Sequence, residues 1–358
     1  MGKMSFDEII KLDGGYWKYH ILDFYYLKNH YFPTKEMYDI LKKEFPILCK
    51  NYPSSQKEIA KSLAKWKDED YFNENNLIVG NGSSELITNI NYLVNNSYIK
   101  TTISIPTYNE YLKIDRKNLF YSGEENKFKI DVDELIKSIK ESSSSLLIIV
   151  NPNNPSGNIL TRKDIKKILY EDKDRIHIII DEAFIDFSKK NSIQDLVQEF
   201  ENLTVINSCT KTVGLSGLRL GYMLTTDKYI KKEIKEMLPR WNINSITERI
   251  IELFLEFKGE YWKSIKKTID DRNYLFNELK KIGFLEPYES HANFILCKTK
   301  INAKELAKYL FYKHKILIRP GLIQENLKGD YYCRIGVNTK ENNDKLISAL
   351  KETRGEKI

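Results

Sequence analysis

The chain has 358 residues, of which 41% are hydrophobic and 30% are charged. This balance is typical of a globular protein with a sizeable buried core, and it excludes a disordered or fibrous chain. The net charge of +7 fits an anionic small molecule as well as it fits a nucleic acid, so it does not define a partner.

The cysteines and the apolar runs indicate what kind of protein this is, namely whether it binds a metal, forms disulfides or spans a membrane. The four cysteines form no C-x-x-C pair and have no histidine at metal-ligand spacing; they are Cys49, Cys209, Cys297 and Cys333. We therefore expect reduced thiols and no metal site. The N-terminus lacks a signal-peptide pattern, and no apolar run approaches the ~20 residues that span a bilayer. We expect a cytoplasmic protein with no membrane partner.

The first 66 residues predict an arm followed by two helices. Residues 1–40 are rich in aromatic residues and are interrupted by Gly14-Gly15 and Pro33, which favours an N-terminal arm that packs with a small domain. Apolar residues at helical spacing predict one helix after Thr34, its N-cap, and a second over Gln56–Trp66.

Residues 41–244 predict a large domain built on strands that are buried on both faces. Short strand patterns lie at 76–80, 101–106, 146–150, 176–180 and 204–207. The runs at 146–150 and 176–180 are the most apolar, as is typical of strands buried on both faces of a parallel sheet. Polar residues follow each run, and ligands bind at the carboxyl ends of strands in open α/β sheets. After the first run, the turn Gly80-Asn-Gly-Ser83-Ser84 leads into a helix, a geometry that binds anions.

Residues 245–358 predict a smaller α+β domain. Amphipathic patterns predict helices over 246–257 and 261–279, and strand patterns follow at 291–297, 315–319 and 331–337. The whole chain therefore predicts an α/β fold with a large, mostly parallel sheet and a smaller α+β domain.

The stretch around Lys211 indicates the chemistry. Ser208 lies three residues before this lysine, and Arg219 lies eight residues after it, between glycines. A lysine amine can form a Schiff base, while a hydroxyl and an arginine can hold a phosphate. This combination suits pyridoxal 5'-phosphate, an electron sink held by an imine and a phosphate cup.

Residues at the ends of the other predicted strands supply the remaining groups. Asp181 can pair with the cofactor's pyridine nitrogen, Asn154 can donate to its ring hydroxyl, and Tyr108 can stack on its ring. Ser83 and Ser84 add to the phosphate cup. Each residue also has an ordinary structural explanation, such as a helix cap, a turn or core packing, but together they favour the cofactor.

These motifs resemble the fold-type I pyridoxal-phosphate enzymes of the class I/II aminotransferase superfamily. The resemblance covers nearly the whole chain, and the branch with histidinol-phosphate aminotransferases and threonine-phosphate decarboxylases is the most similar. The motifs that carry it are Asn151-Pro-Asn-Asn-Pro-Ser-Gly, Asp181-Glu-Ala-Phe, Ser208-x-x-Lys211, Gly217-Leu-Arg-Leu-Gly-Tyr222, Ala292-Asn-Phe294, Ile-Leu-Ile-Arg319-Pro and Arg334-Ile-Gly.

The resemblance implies further roles. Lys211 would carry the cofactor and later move protons. Arg334 would bind the carboxylate of the substrate, and Arg319 would bind the substrate's own phosphate. Tyr52, in Asn-Tyr-Pro, would reach the cofactor phosphate of a neighbouring subunit, which implies a homodimer with a shared active site.

Within this branch, the sequence leaves two reactions open, transamination and decarboxylation. Aminotransferases of the branch usually have a tyrosine where this chain has Phe184, whereas the threonine-phosphate decarboxylases have phenylalanine there, and Trp241 also lies in a segment similar to theirs. Asp13 and Leu27 depart from the pattern of that branch, because a histidine and an asparagine are usual at these positions. The departures fall in the substrate-facing arm.

Three hypotheses follow. The first is a decarboxylase of phosphoserine or phosphothreonine that yields an amino-alcohol phosphate such as ethanolamine phosphate. The second is an aminotransferase that uses glutamate and a small phosphorylated carbonyl compound, of the histidinol-phosphate type or dihydroxyacetone phosphate. The third is a non-enzymatic ligand sensor or a nucleic-acid binder, which the sequence disfavours because it has no DNA-binding helix pair or basic arm.

Overall fold

A computed structural model describes residues 4–12, 14–171, 175–321 and 329–353. The α-helices in these ranges are α1 (Phe6–Lys11), α2 (Lys35–Lys50), α3 (Gln56–Lys67), α4 (Ser83–Asn96), α5 (Val132–Ser142), α6 (Arg162–Glu171), α7 (Cys209–Thr212), α8 (Lys228–Met237), α9 (Ser245–Glu256), α10 (Lys258–Leu279), α11 (Ala303–His314) and α12 (Lys340–Glu352). Among the described residues, no helix is long and apolar enough to cross a membrane.

The strands are β1 (Leu22–Asp23), β2 (Leu77–Asn81), β3 (Thr101–Ile105), β4 (Lys117–Tyr121), β5 (Leu146–Val150), β6 (His177–Asp181), β7 (Leu203–Ser208), β8 (Leu220–Thr225), β9 (Leu285–Pro287), β10 (Phe294–Thr299), β11 (Ile316–Leu317), β12 (Arg319–Pro320) and β13 (Tyr332–Gly336). Short 3-10 helices cover Tyr16–Lys18, Asn109–Lys113, Glu124–Asn126, Ile185–Asn191, Gln194–Gln198, Ser216–Leu218 and Gly329–Tyr331.

The large sheet has the strand order β2-β8-β7-β6-β5-β3-β4. Its strands run parallel except β8, which is antiparallel to both of its neighbours. The carboxyl ends of the parallel strands therefore share one edge with the start of β8. This edge is where the sequence places its polar motifs.

Two apolar layers cover the large sheet. Successive side chains of β5 and β6 alternate between them: Leu147 and Ile178 belong to one buried cluster, and Ile148 and Ile179 to the other. The first layer is completed by helices such as α3 and α9, and the second by α4 and α8. Since both faces are covered, the central strands β5 and β6 are apolar over nearly their whole length, which explains their apolar runs in the sequence.

A third cluster joins the N-terminal arm to the C-terminal strands. Phe6, Ile9 and Phe24 are buried with residues of α10, α11 and α12 against an antiparallel sheet of order β12-β13-β10-β9. Strand β1 of the arm pairs in parallel with β11. Ile250 and Ile265 lie beyond the predicted domain boundary at residue 244, yet they pack with the first layer of the large sheet. The boundary therefore stays a prediction.

Local chemistry accounts for several element boundaries. The Thr34 side chain accepts a hydrogen bond from the backbone of Met37, so the predicted N-cap of α2 is confirmed. The single strand predicted over 315–319 is wrong: β11 and β12 are separate and pair with different strands. Pro320 in β12 has no backbone N–H, which suits its place at the sheet edge.

Candidate active site

A cavity of about 320 Å³ opens at the carboxyl edge of the large sheet. Ten of the eleven residues predicted for the site line it, namely Ser83, Ser84, Tyr108, Asn154, Asp181, Ser208, Lys211, Arg219, Arg319 and Arg334. The ends of five strands, together with the turns and helix starts that follow them, supply eight of these residues, and the C-terminal sheet supplies the two arginines Arg319 and Arg334.

Lys211 lies in α7, the short helix that directly follows β7. Its backbone carbonyl accepts a hydrogen bond from the Asn29 backbone at 2.9 Å, which ties the lysine turn to the arm. Burial, reinforced by the positive charges of Arg334, Arg219 and Arg319, lowers the pKa of the Lys211 amine from 10.5 to about 8. At pH 7 about a tenth of the amine is therefore neutral and nucleophilic, far more than for an ordinary lysine.

Asp181 ends β6 and is almost completely buried. Burial raises the pKa of its carboxyl to about 6, and two hydrogen bonds oppose this increase. The Ala183 backbone N–H donates to Oδ1 at 2.9 Å, and the Tyr111 hydroxyl donates to Oδ2 at 2.9 Å. These bonds fix the carboxylate and leave its ionised form available to a cationic ring nitrogen.

Tyr111 is a site residue that sequence reasoning missed. It lies three positions after Tyr108, which caps the 3-10 helix Asn109–Lys113, and the two rings pack edge to face with centres 6.4 Å apart. Tyr108 lines the cavity, whereas Tyr111 is buried beneath it. The signal in the sequence was a second tyrosine at this spacing.

Ser83, Ser84 and Arg219 form a compact anion cradle at the start of α4. Arg219 Nη2 donates to Ser84 Oγ at 3.2 Å. The preceding residue, Gly82, has φ +76°, and a Cβ added there would lie 2.6 Å from Arg219 Nη2. Backbone amides at a helix start and an adjacent guanidinium match a phosphate group, so these residues fit that part of the cofactor.

Arg334 is buried on β13 and has two acceptors from the chain. Its Nη1 donates to Asn154 Oδ1 at 2.8 Å, and its Nη2 donates to the Tyr25 carbonyl at 3.0 Å. Its Nε is buried without a hydrogen-bond partner among the described residues. The Nε donor is therefore left unpaired by the described part of the chain, and no described residue accepts from the amide N–H groups of Asn154.

Arg319, on β12, has no carboxylate partner in the described part of the chain. Its guanidinium lies 5.4 Å from the centre of the Tyr25 ring. Arg319 and Arg334 also line a second cavity of about 270 Å³, to which Ile10 and Tyr25 of the arm contribute. The two arginines therefore lie where the two cavities meet.

The side of the cavity near Asp181 is apolar. Phe184 packs edge to face on Phe294 with ring centres 5.2 Å apart, and Leu27 lines the same cavity. Neither side chain can form a hydrogen bond.

Tyr52 is the one predicted residue that this chain does not bring to the cavity. It is 78% exposed and stacks on Trp241 with ring centres 4.4 Å apart. The stack holds the tyrosine ring at the surface of the molecule.

The charges of the cavity define its ligands. Four cationic side chains line it, against the carboxylates of Asp181 and Glu110. Such an excess of positive charge calls for anionic ligands. The cradle at Arg219 provides one anion position, and Arg319 and Arg334 provide two more, which matches a cofactor phosphate and a substrate with two anionic groups.

Comparisons with known proteins agree with this geometry. Residues 43–350 match the family model "Aminotransferase class I and II". The chain is 34% identical over 315 residues to a histidinol-phosphate aminotransferase of Clostridium novyi, which covers 87% of this chain and 85% of that protein. Two other relatives are longer proteins, and the chain covers 58% and 55% of their lengths.

Solved structures show the same fold. The histidinol-phosphate aminotransferase of Clostridium acetobutylicum superposes with a TM-score of 0.83 at 28% identity, over 94% of this chain and 99% of that one. A decarboxylase from Sulfurospirillum multivorans superposes with a TM-score of 0.84 at 26% identity, over 97% and 91% of the two chains.

Proposed function

The chain belongs to the class I and II aminotransferase family, and we propose that within this family it decarboxylates a small O-phospho-L-amino acid, phosphoserine or phosphothreonine. The predicted fold, the predicted cofactor pyridoxal 5'-phosphate and the prediction of a pyridoxal-phosphate-dependent enzyme are confirmed by this membership and by the structural similarity. The reaction, the substrate and the role of each residue are our proposal.

One observation favours decarboxylation, namely the apolar side chain of Phe184 beside Asp181. The similar aminotransferases have a tyrosine hydroxyl at this position, and the threonine-phosphate decarboxylases do not. Leu27 adds a second apolar side chain to the same cavity. Neither side chain can donate the hydrogen bond to the cofactor ring oxygen that the tyrosine of the similar aminotransferases would supply.

Each charged residue has a distinct task in the proposed reaction. The bound cofactor supplies an electron sink for the bond that breaks. The Nε edge of Arg334 holds the substrate carboxylate, and Arg319 holds the substrate phosphate. The neutral amine of Lys211 attaches the cofactor, and in its protonated form it returns a proton to the carbon that has lost carbon dioxide.

Asp181 acts on the cofactor rather than on the substrate. Its carboxylate, held by Tyr111 and the Ala183 backbone, would pair with the ring nitrogen and keep it protonated. Asn154 would donate to the ring oxygen, since its own oxygen already accepts from Arg334. The anion cradle of Ser83, Ser84 and Arg219, together with Ser208, would hold the cofactor phosphate.

A second candidate is transamination between glutamate and a small phosphorylated carbonyl compound. It is supported by the similarity to histidinol-phosphate aminotransferases at 34% identity. Arg319 and Arg334 could bind the two carboxylates of glutamate in one half-reaction, and Arg319 could bind the phosphate of the other substrate. The arrangement of the two arginines therefore serves both reactions.

Two additions to the purified holoenzyme separate the candidates. Phosphoserine should release carbon dioxide and yield ethanolamine phosphate, while glutamate should leave the visible absorption band of the cofactor, at roughly 400–430 nm, unchanged. If glutamate instead converts the cofactor to its pyridoxamine form and phosphoserine and phosphothreonine release no gas, the protein is an aminotransferase.

The assignment of Arg319 has its own test. Arg319→Gln should raise KM for phosphoserine about ten- to a hundredfold, because a hydrogen bond to a charged group contributes about 1.5–3 kcal/mol. Lys315→Gln is the matched control, because this lysine lies near the arginine along the chain and outside both cavities. Equal KM values for Arg319→Gln and the parent enzyme would contradict the assignment.

We also propose that the active enzyme is a homodimer. Tyr52 is exposed and held by Trp241 at the surface, where it could reach the cofactor phosphate of a partner subunit. Sedimentation should give a dimer, and Tyr52→Phe should lower cofactor affinity without changing the sedimentation coefficient. An active monomer would contradict the proposal.

A further inference from the structure

Tyr25 of the N-terminal arm contacts both arginines proposed to bind the substrate. Its backbone carbonyl accepts the hydrogen bond from Arg334 Nη2 at 3.0 Å. Its ring lies beneath the guanidinium of Arg319, with 5.4 Å between the Arg319 Cζ and the ring centre. Tyr25 also lines the cavity of about 270 Å³, and both arginines line the same cavity.

The position of Tyr25 is fixed by contacts that do not involve the arginines. The Asp23 carboxylate accepts from the backbone N–H of Tyr25 at 2.8 Å and from that of Tyr26 at 3.1 Å. Asp23 itself is in β1, which pairs with β11. The Tyr25 ring packs edge to face on the buried ring of Tyr16, with centres 5.7 Å apart. The ring is therefore in place before an anion arrives.

An aromatic ring holds an arginine in a different way from a carboxylate. A carboxylate would neutralise the charge of Arg319 and occupy two of its N–H donors. The face of a ring attracts the cation and leaves all five in-plane donors free. The side chain of Arg319 has no ion pair or hydrogen bond among the described residues, so its donors remain available to a ligand.

We propose that Tyr25 is a positioning residue that determines specificity for a phosphate on the substrate. The inference rests on the proposed function, in which Arg319 binds that phosphate and Arg334 binds the carboxylate. Tyr25 holds Arg319 through its side chain and Arg334 through its main chain. Replacement of the Tyr25 side chain should therefore weaken phosphate binding and leave carboxylate binding unchanged. Without the ring, the Arg319 guanidinium is ordered only when the phosphate binds, and this ordering costs binding free energy.

The test uses two ligands that cannot react because they lack an amine. 3-Phosphoglycerate carries a carboxylate and a phosphate, and glycerate carries the carboxylate alone. Calorimetric titration of the holoenzyme gives both dissociation constants. Tyr25→Leu should weaken 3-phosphoglycerate about three- to tenfold, the range of a cation–π contact, and leave glycerate unchanged. Tyr25→Phe keeps the ring and should bind both ligands as the parent does.

A control in the same arm separates positioning from arm stability. Tyr19 packs on the same apolar cluster as the arm and contacts neither arginine, so Tyr19→Leu should leave both constants unchanged. If Tyr25→Leu matches the parent, weakens both ligands equally, or is matched by Tyr19→Leu, the inference is overturned.

Failure of the proposed function gives a different pattern. If the parent enzyme binds 3-phosphoglycerate no better than glycerate, and Arg319→Gln changes neither constant, then Arg319 is not a phosphate anchor. In that case the premise fails. If the parent prefers 3-phosphoglycerate and only Arg319→Gln removes the preference, the phosphate anchor stands and the role of Tyr25 is refuted.

Discussion

Substitution of Gly82 by alanine should damage the anion cradle in a measurable way. Gly82 has φ +76° and ψ 158°, a backbone region that is essentially restricted to glycine and costs other residues about 1–3 kcal/mol. The new Cβ would also lie 2.6 Å from Arg219 Nη2, so the guanidinium must move away from the start of α4. We expect the free energy of unfolding of the apoenzyme to fall by about 1–3 kcal/mol.

The displaced arginine should also weaken cofactor binding. Loss of one hydrogen bond to a charged group, about 1.5–3 kcal/mol, corresponds to a ten- to roughly hundredfold higher dissociation constant. Urea denaturation measures the first effect, and titration of the apoenzyme with pyridoxal phosphate measures the second.

Gly259→Ala is the matched control for both measurements. Gly259 lies in α10 without a positive φ and with open space around it. Alanine there should stabilise the protein by up to about 1 kcal/mol and leave cofactor binding unchanged. A Gly82→Ala protein with the stability and cofactor affinity of the parent would refute the assignment of this turn to the phosphate.

Three further predictions concern the cofactor groups. Lys211→Ala should abolish turnover while the circular dichroism spectrum stays that of a folded protein, because the role of the lysine is chemical; retained activity would reject the site. Tyr111→Phe removes a donor to the Asp181 carboxylate, so the pKa of Asp181 should rise further above about 6 and cofactor affinity at pH 7 should fall about tenfold, as measured by titration of the apoenzyme. The pKa of Lys211 is lowered to about 8, so its neutral fraction increases as pH rises through this value, and stopped-flow absorbance should show faster cofactor attachment up to about pH 9; a rate independent of pH would contradict this.

The sequence predicts the buried strands and the lysine turn because these features are local. The apolar runs of β5 and β6 are continuous since both faces of the sheet are covered. Strand β4 was missed because its burial is only partial and it begins with Lys117 and Asn118. Strand β8 was missed because its first three residues, Leu220 to Tyr222, belong to the motif that carries Arg219, and no strand was predicted there.

The partners of the site residues could not be predicted, because they depend on packing between distant segments. Tyr111 is 70 residues from the carboxylate that it holds, and Tyr25 is 309 residues from Arg334. No propensity or spacing rule connects such pairs. The residues that line the cavity follow from motifs, whereas the residues that orient them follow from the tertiary structure.

The pairing of the arm with β11 and β13 has a consequence for synthesis on the ribosome. The cofactor half of the cavity, from Ser83 to Arg219, is complete long before the C-terminal strands exist. At about 5–20 residues per second, the arm waits about 15–60 s for Arg334. Phe6, Ile9 and Phe24 lack their C-terminal partners, which begin at Leu275, for most of that interval. The nascent chain therefore exposes an apolar segment during synthesis, and the part of the cavity that is proposed to bind the substrate assembles last.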